Sequence, residues 1–147
     1  AQQVFLNGAN VSTRIRTQQV GDAASTVSQY PAVREKMVKL QQSLAEHTSV
    51  VMDGRDIASK VLPNADTKIY LTASVEERAR RRANELREKG EACDIAEVEA
   101  EIRARDDRDM HRQHSPLIQV PEAVLVDSST LTIDETIDRI LEICMQH

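Results

Sequence analysis

The stretch Val50-Val51-Met52-Asp53-Gly54-Arg55-Asp56-Ile57 begins as a short apolar run and changes abruptly to acid, glycine, base and acid. An apolar run followed by turn-forming and charged residues predicts a buried parallel strand that delivers charged side chains to its carboxyl edge. Open α/β sheets bind their ligands at that edge. On spacing alone, a strand followed by a hydrophilic turn explains the stretch equally well. The flanking sequence has to decide between the two.

The composition is that of one globular domain with no general affinity for polyanions. The chain has 147 residues, long enough for a hydrophobic core, and only 2% of them are aromatic, so the core must be aliphatic. A net charge of −5 argues against nucleic-acid or anionic-membrane partners. Cys93 and Cys144 form no CxxC motif, and no apolar run reaches transmembrane length. We therefore expect a reduced, intracellular protein located in the cytoplasm.

Residues 1–49 predict a short strand followed by helices. Residues 4–6 lead into Asn7-Gly8, which indicates a strand that ends in a turn, and its partner strand is expected upstream. A helix is expected around residues 22–28. Pro31 suits the first turn of another helix, whose apolar stripe is Val33, Met37, Leu40 and Leu44. Because the chain starts at Ala1 without a methionine or leader, we expect it to be a segment of something longer.

The remaining sequence predicts two more strands, at 68–72 and 122–127, with helices around them. The predicted helix caps are Ser74, Asp94 and Thr132, with Gly90 after the first of these helices. Three buried strands separated by helices are typical of an α/β fold with a parallel sheet. The expected segments are 1–49, core strands at 50–73, a helical insertion at 74–115, and a final strand and helix at 116–147. The insertion has few large apolar residues, so we expect it to stand away from the sheet and move.

Two groups of charged residues are candidates for binding an anion. Arg105, Asp109 and Arg112 are spaced to share one helix face, where two guanidiniums can hold a phosphate while the acid accepts a hydroxyl. A solvated helix with internal ion pairs is the alternative. Arg78, Arg81 and Arg82 share a face of the preceding helix, but nearby glutamates can pair with its arginines, so a solvated surface is favoured there. The charges at 53–56 must pair with each other or with a ligand.

The combined motifs resemble those of the bacterial cytidylate kinases, a branch of the P-loop nucleoside monophosphate kinases. They are DGRD at 53–56, TASVEERARRR at 72–82, RARDDRDMHR at 103–112 and VDSSTLTIDE at 126–135. NGANVS at 7–12, IRT at 15–17 and YPAVR at 30–34 extend the resemblance upstream. The fold that it implies is the parallel sheet with flanking helices of that kinase group. The activity that it implies is transfer of the γ-phosphoryl group of ATP to CMP or dCMP, with Mg²⁺.

The resemblance also implies roles for individual residues on the acceptor side. The family recognises cytosine with a serine, an arginine and an aspartate, which correspond to Ser25, Arg34 and Asp56 of this chain. Asp109 corresponds to the acid that meets the ribose hydroxyls. The implied substrates are small nucleotides, namely CMP, dCMP and ATP, and the parent enzyme is expected to be a monomer without nucleic-acid or membrane partners.

On the phosphate side, the resemblance assigns a catalytic role to three arginines. Arg55 corresponds to a family arginine that approaches the CMP phosphate, and Arg105 and Arg112 to those that hold phosphate in the closed state. Arg81 corresponds to an arginine near the ATP side. Asp53 corresponds to an acid that orients the water shell of Mg²⁺. Arginines on a mobile lid stabilise charge while excluding water during transfer.

The chain departs from the family at the phosphate-binding loop. Such kinases carry GxxxxGK[ST], and none of the four glycines here is followed by Lys-Ser or Lys-Thr. The chain therefore resembles roughly the C-terminal two-thirds of the enzyme, incomplete at the N-terminus of the fold. One hypothesis is a part of a cytidylate kinase; the alternative is a non-catalytic nucleotide-binding or interaction module. In either case, we expect no measurable transfer from ATP to CMP by the 147-residue chain alone.

Overall fold

A computed structural model of the protein describes residues 3–146, without the side chain of Gln18. Residues 1, 2 and 147, which belong to the predicted segments 1–49 and 116–147, lie outside the described residues. The chain divides into two compact units, Ala1–Ser49 and Val50–His147.

The first unit begins with a β-hairpin of two antiparallel strands, β1 (Phe5–Leu6) and β2 (Ala9–Asn10). Both residues of the turn have positive φ angles, 50° at Asn7 and 80° at Gly8. A two-residue Asn-Gly turn of this kind folds the chain directly back on itself. Within the described residues, residues 5–6 therefore pair with the strand that follows them, a pairing that the sequence did not predict, and a partner strand upstream stays a prediction.

Two helices complete the first unit after a 3₁₀ turn. α1 (Gln18–Val27) begins before the expected segment, because the side chain of Thr17 caps it by accepting a hydrogen bond from the N–H of Val20 at 3.4 Å. α2 spans Pro31–Ala45 with its proline in the first turn, as predicted. The apolar stripe of α2 remains about half exposed, because periodicity identifies an apolar face without identifying what packs on it.

The second unit is built on a parallel pair of strands, β3 (Ile69–Thr72) and β4 (Val124–Asp127). Parallel neighbours need a long crossover connection, and here it contains two helices. The α/β class with parallel strands is confirmed. The carboxyl ends of both strands point to the same edge, which is where the predicted site should lie.

The strand expected at 50–53 is not formed. No strand in the described part of the chain pairs with this segment, and Val51 is fully exposed. A strand is stabilised by ladder hydrogen bonds and by side-chain contacts with its neighbours, and neither is available here. The prediction from the apolar run was therefore wrong for this structure, although Arg55, which follows the run, does bond to the carboxylate of Asp109.

The crossover contains α3 (Val75–Glu88) and α4 (Ile95–His111), which pack against each other. The predicted caps are confirmed: the side chains of Ser74 and Asp94 accept backbone hydrogen bonds at 3.1 and 2.8 Å. Gly90 ends α3 with a φ of 78°, which glycine adopts without strain.

The helix pair packs through small residues and is tied to the sheet. Ala79 and Ala83 are fully buried, which lets the two helices approach closely. The guanidinium of Arg81 on α3 donates to the carbonyl of Ser128, just past β4, at 2.6 Å. The α3 end therefore does not stand away from the sheet as expected, and the motion of the pair stays a prediction.

The last helix, α5 (Ile133–Met145), packs on β4. Its predicted start is confirmed as a reciprocal capping box, in which Thr132 and Glu135 exchange side-chain-to-backbone hydrogen bonds of 2.8 and 3.2 Å. None of the helices within residues 3–146 has the length and apolar character needed to span a bilayer.

Candidate active site

Three arginines converge on the carboxylate of Asp109, near the end of α4. Arg55 Nε donates to Asp109 Oδ2 at 2.9 Å. Arg105 Nε lies 4.0 Å from the same oxygen, and Arg112 Nη1 lies 3.5 Å from Oδ1. The structure thus brings four of the predicted site residues together. We call these four residues the Asp109 cluster.

Helical spacing and one long-range bond assemble the Asp109 cluster. Arg105 and Asp109 are one turn apart on α4, and Arg112 directly follows the last residue of that helix. Arg55 comes from a loop that lies 54 positions earlier in the chain. Its bond to Asp109 therefore fixes the loop that carries the DGRD motif against the end of α4.

The chain after α4 folds back and covers part of the cluster. Arg112 Nε donates to the carbonyl of Ser115 in a close contact, and the N–H of Leu117 donates to the carbonyl of Asp109 at 2.8 Å. Ser115 turns the chain with a φ of 52°, which is uncommon for a residue other than glycine. The side chains of Arg112 and Asp109 are each only 14% exposed. The side chains of Asp109 and Arg112 are therefore held in place by the segment that follows α4.

The Asp109 cluster carries net positive charge, because three guanidiniums share one carboxylate. The side chains of Arg55 and Arg105 are 44% and 59% exposed, so a ligand can reach them. Guanidinium groups bind phosphate oxygens through paired hydrogen bonds. A carboxylate among them accepts hydroxyl donors. The arrangement suits a phosphate that is attached to a hydroxyl-bearing group.

Asp56 lies at the start of a π-helical turn, Ile57–Val61, directly after Arg55. Its carbonyl accepts two backbone hydrogen bonds from that turn, at 2.9 and 3.2 Å, and the residue is 7% exposed. Gly54 allows the tight path, because a Cβ there would lie 3.0 Å from Cγ1 of Ile57. Isolated π turns often occur at functional sites. The backbone on both sides of Arg55 is thus constrained.

Ser25 and Arg34, predicted to recognise cytosine, lie in the first unit on α1 and α2. Both residues contact Ser28, which lies between the helices. The hydroxyl of Ser28 donates to the carbonyl of Ser25 at 2.8 Å, and Arg34 Nη1 donates to the carbonyl of Ser28 at 3.4 Å. The two residues therefore belong to one local network. Asp56 belongs to the second unit, so a cytosine site shared by all three stays a prediction.

Arg81, predicted to contact nucleotide on the ATP side, is bonded to the loop after β4. Its Nη1 donates to the hydroxyl of Ser128 at 3.2 Å, and that hydroxyl donates to the carbonyl of Thr72, at the end of β3, at 3.1 Å. Arg81 thus connects α3 with the carboxyl ends of both strands. Ser128 was not among the predicted site residues, although its position after a parallel strand was a signal that could have identified it.

Glu77 holds two arginines of α3. Its carboxylate accepts hydrogen bonds from Arg80 at 2.7 Å and from Arg81 at 2.8 Å. The bonds from Arg80, and then that from Arg81, lower the pKa of Glu77 to about 2. Glu77 is therefore ionised at neutral pH and keeps the guanidinium of Arg81 directed at Ser128.

A family model described as Cytidylate kinase matches residues 1–146. The chain belongs to the cytidylate kinase family. The resemblance that the motifs at 53–56, 72–82, 103–112 and 126–135 indicated is thereby confirmed.

Curated cytidylate kinases from three bacteria show the degree of similarity. The protein from Symbiobacterium thermophilum is 45% identical over 142 residues, that from Desulfitobacterium hafniense strain Y51 48% over 143, and that from Anoxybacillus flavithermus 49% over 140. These matches cover 95–97% of this chain but only 62–63% of the relatives. The chain therefore spans less than two-thirds of the length of the cytidylate kinases it matches.

Mg²⁺ is the metal expected with a cytidylate kinase, and the side chains that could bind it can be checked in the structure. Among residues 3–146, no group of three or more histidine, cysteine or acidic side chains is placed to hold a metal ion. Asp53, predicted to orient the water shell of Mg²⁺, is exposed. Mg²⁺ in phosphate-transfer sites is usually bound by one or two carboxylates together with substrate phosphates and water. A single exposed carboxylate fits that indirect role.

Acid is expected to destabilise the protein through Glu77. Its folded pKa of about 2 lies below the ordinary value of 4.5, so its contribution to stability is complete above about pH 4.5 and is lost as the pH falls towards 2. Glu77→Gln should therefore lower the urea midpoint at pH 6 and lower it less at pH 3. The exposed Glu88 on the same helix supplies the control variant Glu88→Gln. An effect of Glu77→Gln that is equal at both pH values would contradict the assignment.

Proposed function

We propose that the intact protein containing this chain transfers the γ-phosphoryl group of ATP to CMP or dCMP. The observation that carries the proposal is the Asp109 cluster, in which three arginines surround one carboxylate and two of them are open to solvent. Phosphoryl transfer needs little covalent help from the protein and depends on positioning and charge stabilisation. A cluster with excess positive charge that is held by its own carboxylate meets both needs.

The bonds of the Asp109 cluster can be exchanged for bonds to CMP. In the structure, Arg55 donates to Asp109. When CMP binds, Arg55 can donate to its phosphate instead, while Asp109 accepts a ribose hydroxyl. Each group then keeps a charge-assisted partner, so the exchange leaves no buried charge uncompensated. Arg105 and Arg112 remain to hold the transferred phosphoryl group.

The proposed specificity for cytosine rests on Asp56 with Ser25 and Arg34. Cytosine carries an exocyclic amino group that donates hydrogen bonds, and a carboxylate is a suitable acceptor for it. Uracil has a carbonyl oxygen at that position and would leave the carboxylate facing another acceptor. A site that hydrogen-bonds a substrate group rejects the analogue without it, because a buried polar group is then unpaired. Asp56 is already buried, which favours this role.

ATP and Mg²⁺ complete the proposal on the donor side. Mg²⁺, when bound, would supply charge neutralisation to the phosphates of ATP. Asp53 would contact its water shell, and Arg81 would meet ATP from its place beside Ser128 at the carboxyl ends of the strands. We further propose that the enzyme acts as a cytoplasmic monomer on small nucleotides, without nucleic-acid or membrane partners.

Replacing Arg112 by lysine is expected to reduce kcat for CDP formation by about 10²-fold in the intact protein. Lysine keeps the charge but loses the planar fork that contacts Asp109 and the Ser115 carbonyl. The matched control is Arg108→Lys, since Arg108 is exposed near the end of α4 and lies outside the cluster; we expect it to change kcat less than about twofold. Equal losses in both variants would count against the proposed role. CMP binding without any CDP formation by the parent protein would favour a non-catalytic module.

Asp56→Ala is expected to raise KM for CMP at least about tenfold while changing KM for ATP less than about twofold. The preference for CMP over UMP should fall in the same variant, because the group that distinguishes them is gone. Steady-state kinetics with both acceptors measures these effects. Asp66→Ala, which removes an exposed aspartate from a nearby turn, is the control. A parallel rise in KM for CMP and ATP, with an unchanged CMP preference, would show that Asp56 does not recognise cytosine.

A further inference from the structure

We propose that Arg78 is a positioning residue that fixes α4, and with it the Asp109 cluster, relative to β3. The inference rests on the proposed kinase function and adds a residue to it. In the sequence, Arg78 belonged to a helix face for which a solvated surface was favoured. Its contacts in the structure indicate a different role.

The guanidinium of Arg78 bonds to two separate elements. Its Nη1 and Nη2 donate to the two carboxylate oxygens of Asp106 on α4, at 3.0 and 2.7 Å. Its Nε donates to the carbonyl of Ala73, the residue that follows β3, at 3.0 Å. The paired contact with Asp106 has the parallel geometry that makes arginine–carboxylate bonds both strong and directional. One side chain of α3 therefore connects the end of β3 with α4.

The Arg78–Asp106 pair lies next to the Asp109 cluster. Asp106 is three residues before Asp109 on α4, so the two carboxylates are neighbours on the helix surface. The side chains of Arg78 and Asp106 are 34% and 23% exposed. Because the pair holds one turn of α4 in a defined direction, it also sets the direction of the next turn, which carries Asp109.

Two other ion pairs of α3 and α4 lack this combination of geometry and reach. Arg80 makes two bonds to Glu77, but both residues belong to α3, so the pair cannot position α4. Arg103 on α4 does reach Glu76 on α3, with side chains that are 54% and 65% exposed. Exposed pairs of this kind contribute little to stability or orientation. Arg80 is therefore a suitable control for Arg78, with a similar bond on the same helix.

The test uses the intact protein with Arg78→Gln, with Asp106→Asn and with both changes together. The separate variant Arg80→Gln is the control. Loss of positioning should lower kcat for CDP formation about 10- to 100-fold in each of the first two variants, because a displacement of about 1 Å at the reacting groups has effects of this size. The double variant should be no slower than the slower single one, since both changes break the same contact. KM for ATP and the kcat of Arg80→Gln should change less than about twofold.

A merely structural role predicts a different pattern. In that case Arg78→Gln and Arg80→Gln would lower Tm by the same amount and would have the same kcat. The losses caused by Arg78→Gln and Asp106→Asn would add in the double variant. Either result overturns the proposal. Where Arg78→Gln does not fold, Asp106→Asn decides in its place, because it preserves side-chain size and the bond between Arg78 and Ala73.

Calorimetric titration with inorganic pyrophosphate separates this inference from the proposed function. Weaker pyrophosphate binding by Arg78→Gln than by Arg80→Gln supports the positioning role, even if the parent protein forms no CDP and the kinase proposal fails. Equal pyrophosphate affinity in the parent and both variants, together with equal kcat where turnover is measurable, means that Arg78 does not position the cluster.

Discussion

The carboxylate of Asp109 is a shared partner of three arginines, Arg55, Arg105 and Arg112. Two like charges about 4 Å apart near a protein surface repel by on the order of 4 kcal/mol, and a carboxylate placed between guanidiniums offsets that repulsion. The contact with Arg55 also spans 54 positions of the chain and fixes the DGRD loop to α4. The candidate site therefore depends on one acid that is only 14% exposed.

The surroundings of the cluster are held more by polar bonds than by a large core. Small residues such as Ala79, Ala83 and Val98 supply the buried contacts of α3 and α4. Arg78 and Arg81 tie α3 to the sheet edge through hydrogen bonds to Ala73 and Ser128, and Arg78 also joins α3 to α4 through Asp106. Such bonds can be replaced by bonds to phosphate and hydroxyl groups, whereas a dry core cannot open without exposing apolar surface. This construction is compatible with the motion that the proposed function predicts for the helix pair.

Local sequence signals predicted the parts of the structure that local chemistry decides. The caps at Ser74, Asp94 and Thr132, the glycine stop at Gly90 and the two paired strands are formed as expected. The segment at 50–53 was mispredicted, because an apolar run cannot show whether a neighbouring strand is present. Helical spacing predicted one face for Arg105, Asp109 and Arg112. It could not show that Arg55 would join them, or that Arg78 would bond across to α4, since both contacts depend on tertiary packing.

The most direct test is the affinity of the intact protein for inorganic pyrophosphate before and after Asp109→Asn. If Asp109 holds the arginines together, the variant should bind about tenfold more weakly, although it has lost a negative charge. Asp107→Asn makes the same charge change at a 74% exposed position of α4 and should bind at least as tightly as the parent. Binding by Asp109→Asn that is unchanged, or as tight as that of Asp107→Asn, would contradict the account, because charge alone would then explain anion binding.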